Sequence, residues 1–313
     1  MTSEDPQDDG ALGSPAGVEE AVRILLQAET LVNLRRYPEA AELAHRAAGR
    51  LPTDPAPLLV AARAEAGLGD HAGAERDARR AVQLAPESSY AHRVLGWVRI
   101  TRCSGENSLV RRRSIAASAI PPAREALRLD PHNPDSMVLL AEAAAFAGDH
   151  ALALQASHDA VGAAPLSPEA WMVRSQVLRI TGSLLAAEGA AREALRLDPQ
   201  HYAANNELGL VLSKQGRMAD SARQFEATAA LDPVRRSAPA NLLRTGRWVS
   251  LVACLILALP LFILSPYGLL AGIGLYALVW NIPLTRRHLE AWTLTYVRWR
   301  ARRGGPGDAG PHE

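Results

Sequence analysis

Nine histidines, two cysteines and 33 carboxylates are the side chains of this 313-residue chain suited to acid–base, nucleophilic or metal chemistry, and their spacing assembles none of these. No phosphate-cradling loop, HExxH helix or nucleophile elbow occurs. Cys103 and Cys254 are too few for a disulfide framework or a zinc site, and Cys254 stands inside an apolar run, so both read as plain thiols. The histidines are scattered, and His71 and His150 occupy matching places in a repeated pattern, which argues for packing over liganding. No enzymatic activity, cofactor or metal is therefore expected. The chemistry that remains is recognition by Arg, Trp and Tyr side chains, and the elements that position them decide whether it is used.

Acidic and basic residues nearly cancel, with a net charge of +1, so no global field points to nucleic acid or to acidic substrates. Lys214 is the only lysine, a bias that carries no functional reading. Residues 1–20 hold Glu4, Asp5, Asp8, Asp9, Glu19 and Glu20 with no basic residue, and this stretch is expected to stay disordered up to about Val18. It lacks the basic start and apolar stretch of a secretory signal, so the N-terminal body is expected in the cytosol.

Prolines recur at Pro52, Pro86, Pro131, Pro165, Pro199 and Pro233, at intervals of 34, 45, 34, 34 and 34 residues. The segment AREALRLDP occurs at Ala123–Pro131 and again, letter for letter, at Ala191–Pro199. Five residues before each proline stand Ala47, Ala81, Ala126, Ala160, Ala194 and Thr228; twelve before stand Ala40, Ala74, Ala119, Ala153, Ala187 and Ser221. Small side chains at two points of a helix let a neighbouring helix come close, and a proline after the last turn ends each pair. Gly69, Gly148, Gly182 and Gly216, each 17 residues before a proline, place a turn between the two helices of a unit. Leu95-Gly96 and Leu208-Gly209 fall in first helices, Trp171 starts one, and Phe225 lies midway along a second helix.

On these residues the chain resembles the tetratricopeptide repeat family over Ala21–Pro233, as six units: 21–54, 55–88, 89–133 with an insertion, 134–167, 168–201 and 202–233. The resemblance implies an all-α, right-handed solenoid of helical hairpins whose first helices line a concave groove for a peptide or partner helix. The third unit departs from it. Its eleven extra residues include Cys103–Asn107 and Arg111, Arg112 and Arg113, and read as a protruding loop, either a tolerated surface insertion or an arginine contact site for a partner. An enzyme site hidden there would show as activity that vanishes when residues 103–113 are deleted. Pro121 and Pro122 fall inside the second helix of this unit and are expected to break it.

Projecting the family's inward positions onto the first helices gives Glu29 and Asn33; Arg63; Tyr90, Arg93 and Trp97; Asp135, Glu142 and Phe146; Gln176 and Arg179; Asn206 and Lys214. Trp97, Arg93, Tyr90 and Phe146 are the strongest anchors by type, while a large aromatic on a helix also serves as inter-repeat core. Within the family, clamps for acidic chaperone tails need paired Lys and Asn on successive first helices. The matching places carry Leu25, Glu29, Leu59, Val94, Val138, Leu139 and Val173, so no basic cradle for a carboxylate is expected.

A basic linker over 234–247 precedes two charge-free runs, Trp248–Leu264 and Tyr267–Leu284, separated by Ser265-Pro266. As helices they span roughly 25 to 27 Å each, enough for a two-helix transmembrane hairpin over 248–284, with Pro260 and Pro283 as candidate kinks. Arg235, Arg236, Arg244 and Arg247 before it and Arg286 and Arg287 after it place both ends in the cytoplasm. Gly268 and Gly272 form a small-xxx-small pair for packing within the hairpin or for self-association. Leu289, Trp292, Tyr296 and Trp299, with Arg298, Arg300, Arg302 and Arg303, predict an interfacial helix over 285–303, followed by a loose tail over 304–313. The whole reads as a membrane-anchored protein-binding adaptor; the alternative is an accessory subunit of a transport or secretion complex in which the hairpin makes the specific contacts.

Overall fold

The computed structural model describes residues 15–231 apart from 104, 105 and 107. The linker, hairpin, interfacial helix and tail expected over 234–313, with Cys254, Gly268 and Gly272, lie outside the described residues, as do residues 1–14. The described residues form twelve helices and no strand.

Two compact units divide the chain after Pro165. The first holds α1 (Pro15–Asn33), α2 (Tyr37–Arg50), α3 (Pro55–Leu68), α4 (His71–Leu84), α5 (Ser89–Cys103), α6 (Leu109–Leu129), α7 (Pro134–Ala147) and α8 (His150–Ala163). The second holds α9 (Pro168–Ile180), α10 (Leu184–Leu197), α11 (Tyr202–Lys214) and α12 (Met218–Leu231). Within each unit, every even-numbered helix packs on the odd-numbered helix before it, and α1, α3, α5 and α7 touch in succession, as do α9 and α11.

Local sequence sets the helix ends. Asp54, Asn133 and Ser167 each accept a backbone N–H of the first turn and are followed by a proline at the first helical position, where its missing donor costs nothing. Asp70 and Asp149 cap α4 and α8 in the same way. Gly69, Gly148, Gly182 and Gly216 all turn with positive φ, between 80° and 91°, and the first pair makes this turn with Arg35 at φ 60°.

The twelve small residues counted back from the prolines are all completely buried. Each even helix therefore presents two points where backbone approaches backbone, and a larger side chain there would force the pair apart at about 1–3 kcal/mol. Phe225 is likewise fully buried, and a Cβ added to Gly209 would lie 2.4 Å from its ring, so α11 and α12 meet through glycine against aromatic.

Three expectations need correction. Helix α1 begins at Pro15, inside the stretch expected to be disordered: a proline suits its first turn, Ala21, Ile24 and Ala28 are buried, and Glu20 pairs with Arg50 of α2 at 2.7 Å. The insertion is for the most part helical instead of a loop, because α6 runs for 21 residues where α2, α4, α8, α10 and α12 run for 14. Pro121 and Pro122 do not break α6, which continues through both. Pro122 removes the N–H that would serve the Ser118 carbonyl, and Arg99 Nη1 of α5 donates to that oxygen at 2.6 Å in its place. Pro121 leaves the carbonyl of Ala117, an exposed residue that solvent reaches.

Candidate functional site

The residues projected onto the first helices converge best on α1, α3 and α5. An open cavity of about 370 Å³ is lined by Val32 and Asn33 of α1, Arg35 and Tyr37 at the first turn, Arg63, Ala66 and Gly67 of α3, and Trp97 and Thr101 of α5. Asn33, Arg63 and Trp97 are among the residues expected from sequence. Tyr37 and Arg35 are not; the signal for Tyr37 is Gly67, where an added Cβ would lie 2.6 Å from the tyrosine ring, so the glycine seats the aromatic wall.

Tyr90, Arg93 and Trp97 follow one another at one-turn steps along α5 and share a face. Tyr90 is 39% and Trp97 37% exposed, so each ring is partly open to a partner. The Arg93 guanidinium lies 5.0 Å from the centre of the Tyr90 ring and donates to Asp135 of α7 at 2.7 Å, while Arg63 of α3 reaches the Tyr90 hydroxyl at 3.5 Å. A polar and aromatic strip thus crosses α3, α5 and α7, and the Arg93 Nε is buried without a hydrogen-bond partner. Glu142 and Phe146 lie half-buried on α7, and Glu29 half-buried on α1.

In the second unit Gln176 and Asn206 are half-buried and Lys214 is exposed. Arg179 is committed elsewhere: it forms a two-pronged pair with Glu207 of α11, at 2.5 and 3.1 Å. Glu207 is 4% exposed, and burial pushes its carboxyl above the usual range even against the adjoining guanidinium. Of the places that a carboxylate clamp would use, Leu59, Val94, Leu139 and Val173 are buried in the core, and Leu25, Glu29 and Val138 are half-buried.

The chain matches the tetratricopeptide repeat family model over residues 25–89, 138–202 and 181–239, more than half of its length. It belongs to the tetratricopeptide repeat family. Among solved structures, this tetratricopeptide protein is similar to one from Parabacteroides merdae (TM-score 0.60, 12% identity, covering 74% of this chain and 86% of that one). It is similar also to a thermophilic tetratricopeptide protein of Thermus thermophilus (TM-score 0.54, 21% identity, 62% of this chain and 98% of that one). A third is PilW, a widely conserved type IV pilus biogenesis factor (TM-score 0.55, 17% identity, 72% and 99%). At these identities the likeness is one of fold. No curated protein matches the tetratricopeptide chain in sequence.

Away from the first-helix face, three side chains with metal-binding donors meet. His45 of α2, Glu65 of α3 and Asp77 of α4 bring one donor atom each within 4.8 Å of one another. His45 Nε2 is 3.1 Å from Glu65 Oε1 and 3.6 Å from Asp77 Oδ2. Burial, followed by the Asp77 charge, pushes the Glu65 carboxyl up; burial also pushes Asp77 up, against the charges of His45 and Arg76. Residues 20 and 12 apart in sequence carry no metal-site spacing, which is why the pattern of histidines does not reveal them.

Proposed function

We propose that this tetratricopeptide protein is a membrane-anchored, non-catalytic scaffold that takes a peptide or helix of a partner protein on the face made by α1, α3 and α5. The observation that carries the reading is the cavity bounded by Arg63 and Trp97, with Tyr90 and Trp97 left exposed beside it. Anchoring rests on the two charge-free runs, Trp248–Leu264 and Tyr267–Leu284, and on the arginines that flank them. No helix among the described residues is long and apolar enough to cross a membrane. A tether of this kind would hold the binding face at high effective concentration beside other membrane components, with both chain ends on the cytoplasmic side.

The test replaces Trp97 by a photo-crosslinking residue in intact cells. Specific adducts to one protein, abolished when Arg63→Ala is added, are expected; no adduct, or adducts indifferent to Arg63→Ala, overturn the groove. Fractionation tests the anchor separately. The full chain is expected to sediment with membranes until detergent is added, and deletion of 248–284 to release it; a full chain that stays in the supernatant overturns the tether.

A further inference from the structure

We propose that His45, Glu65 and Asp77 form a binding site for one divalent transition-metal ion of the zinc class, joining the first helix pair to the second. Ligands about 2.1 Å from such an ion lie about 3 to 3.5 Å from one another around its shell. The imidazole nitrogen already stands 3.1 Å from Glu65 Oε1 and 3.6 Å from Asp77 Oδ2, and one donor atom of each residue lies within 4.8 Å of the others, so a closing movement of the carboxylates toward the imidazole brings all three donors onto one centre. One imidazole and two carboxylates suit zinc or a neighbouring first-row ion; magnesium and calcium favour all-oxygen shells.

Burial supplies the second argument. Glu65 is 8% exposed and its Oε2 has no hydrogen-bond partner; Asp77 Oδ2 is buried and equally without one. Two buried carboxylate oxygens without hydrogen-bond partners are costly unless something positive lies near them, and the group in direct contact with both residues is the His45 imidazole. Asp70 adds a further negative charge and Arg76 a positive one at longer range, so the pocket stays rich in acid. The position of the cluster defines what an ion would do. Its ligands come from α2, α3 and α4, so the ion would clamp two successive pairs at a junction remote in sequence from Trp97. His45 is half exposed, which leaves an entry path and room for water to complete the shell.

The experiment is equilibrium dialysis of zinc chloride against the full chain in detergent, with metal content per chain and thermal melting as readouts. One zinc per chain and a raised melting temperature are expected. His45→Ala, which removes an exposed side chain, is expected to weaken binding at least tenfold and to abolish the thermal shift, and Asp77→Asn to do the same. His158→Ala, on the exposed face of α8, is expected to behave as the parent. Absence of stoichiometric zinc, or binding that survives both His45→Ala and Asp77→Asn, overturns the proposal. Circular dichroism of each variant separates lost binding from lost folding.

Discussion

Arg99 donates to the carbonyl of Ser118 at 2.6 Å, the oxygen that Pro122 deprives of its helical donor, and so a side chain of α5 replaces a backbone bond of α6. The same guanidinium pairs through Nε with Glu75 of α4 at 3.2 Å, which fixes its aim. Arg99→Ala is expected to destabilise the protein by about 2–3 kcal/mol, since the charged donor to that carbonyl and the pairing with Glu75 are lost together. Pro122→Ala returns an N–H to the carbonyl, so the double variant should lose less than the sum of the singles. Urea denaturation of all four proteins gives the coupling; additive losses would show that Arg99 serves only Glu75.

Arg35 turns the first helix pair with φ 60°, at the address where four other pairs carry glycine. A side chain in this region is strained by about 1–2 kcal/mol, offset in part by the greater freedom of glycine in the unfolded chain. Arg35→Gly is expected to raise stability by about 0.5–1 kcal/mol, and Arg35→Ala, which keeps the strain while removing the side chain, to give no gain. Thermal melting of the pair separates backbone strain from side-chain interactions.

These two sites mark what is legible in the sequence. Ala40 or Ala187 can be placed because helix packing repeats with the chain, and one period fixes every address. The fate of Pro122 cannot, because its remedy is a residue on another helix, 23 positions earlier. The insertion reads wrongly as a loop for a related reason: extra residues can extend a helix as readily as a loop, and Ser108, which caps α6, gives no hint of how far the helix will run. Arg63 and Trp97 emerge by analogy with the family's inward face, whereas the same analogy places Arg179 on that face without its partner Glu207 in view. The cluster of His45, Glu65 and Asp77 is invisible because three helices each give it one residue.

Glu188 of α10 is buried, and accepts from Gln215 at 2.8 Å and from Arg217 at 2.8 Å at the turn after α11. Burial pushes its carboxyl up, but those hydrogen bonds with the charges of Arg192 and Arg217 outweigh it, and the net direction is down. A depressed carboxyl stabilises the fold above its unfolded value of about 4.3, and that contribution is lost as pH falls through the lower folded value. Glu188→Gln is therefore expected to destabilise by about 1–3 kcal/mol at pH 7 and to differ less from the parent near pH 3. Urea titrations at the two pH values check it; an equal deficit at both would place the effect in packing.

Arg179 and Glu207 link α9 to α11 through a buried pair whose acid is raised by burial in spite of the guanidinium. The sign is opposite to that of Glu188: the charged form costs stability in the fold, the cost is absent below the unfolded value of about 4.3, grows as pH rises from there toward the higher folded value, and is complete above it. Arg179→Ala strands a buried carboxylate and is expected to cost about 3–5 kcal/mol at pH 7 to 8, with a smaller deficit as pH falls and a proton neutralises the group. Adding Glu207→Gln should recover part of the loss and flatten its pH dependence, read by urea titration across that range. A pH-independent deficit would assign Arg179 to packing through its aliphatic stem. The pair also decides how binding data on this side chain must be read: a partner lost with Arg179→Ala at pH 7, but kept by Arg179→Ala with Glu207→Gln, was lost through the fold and not through a groove contact.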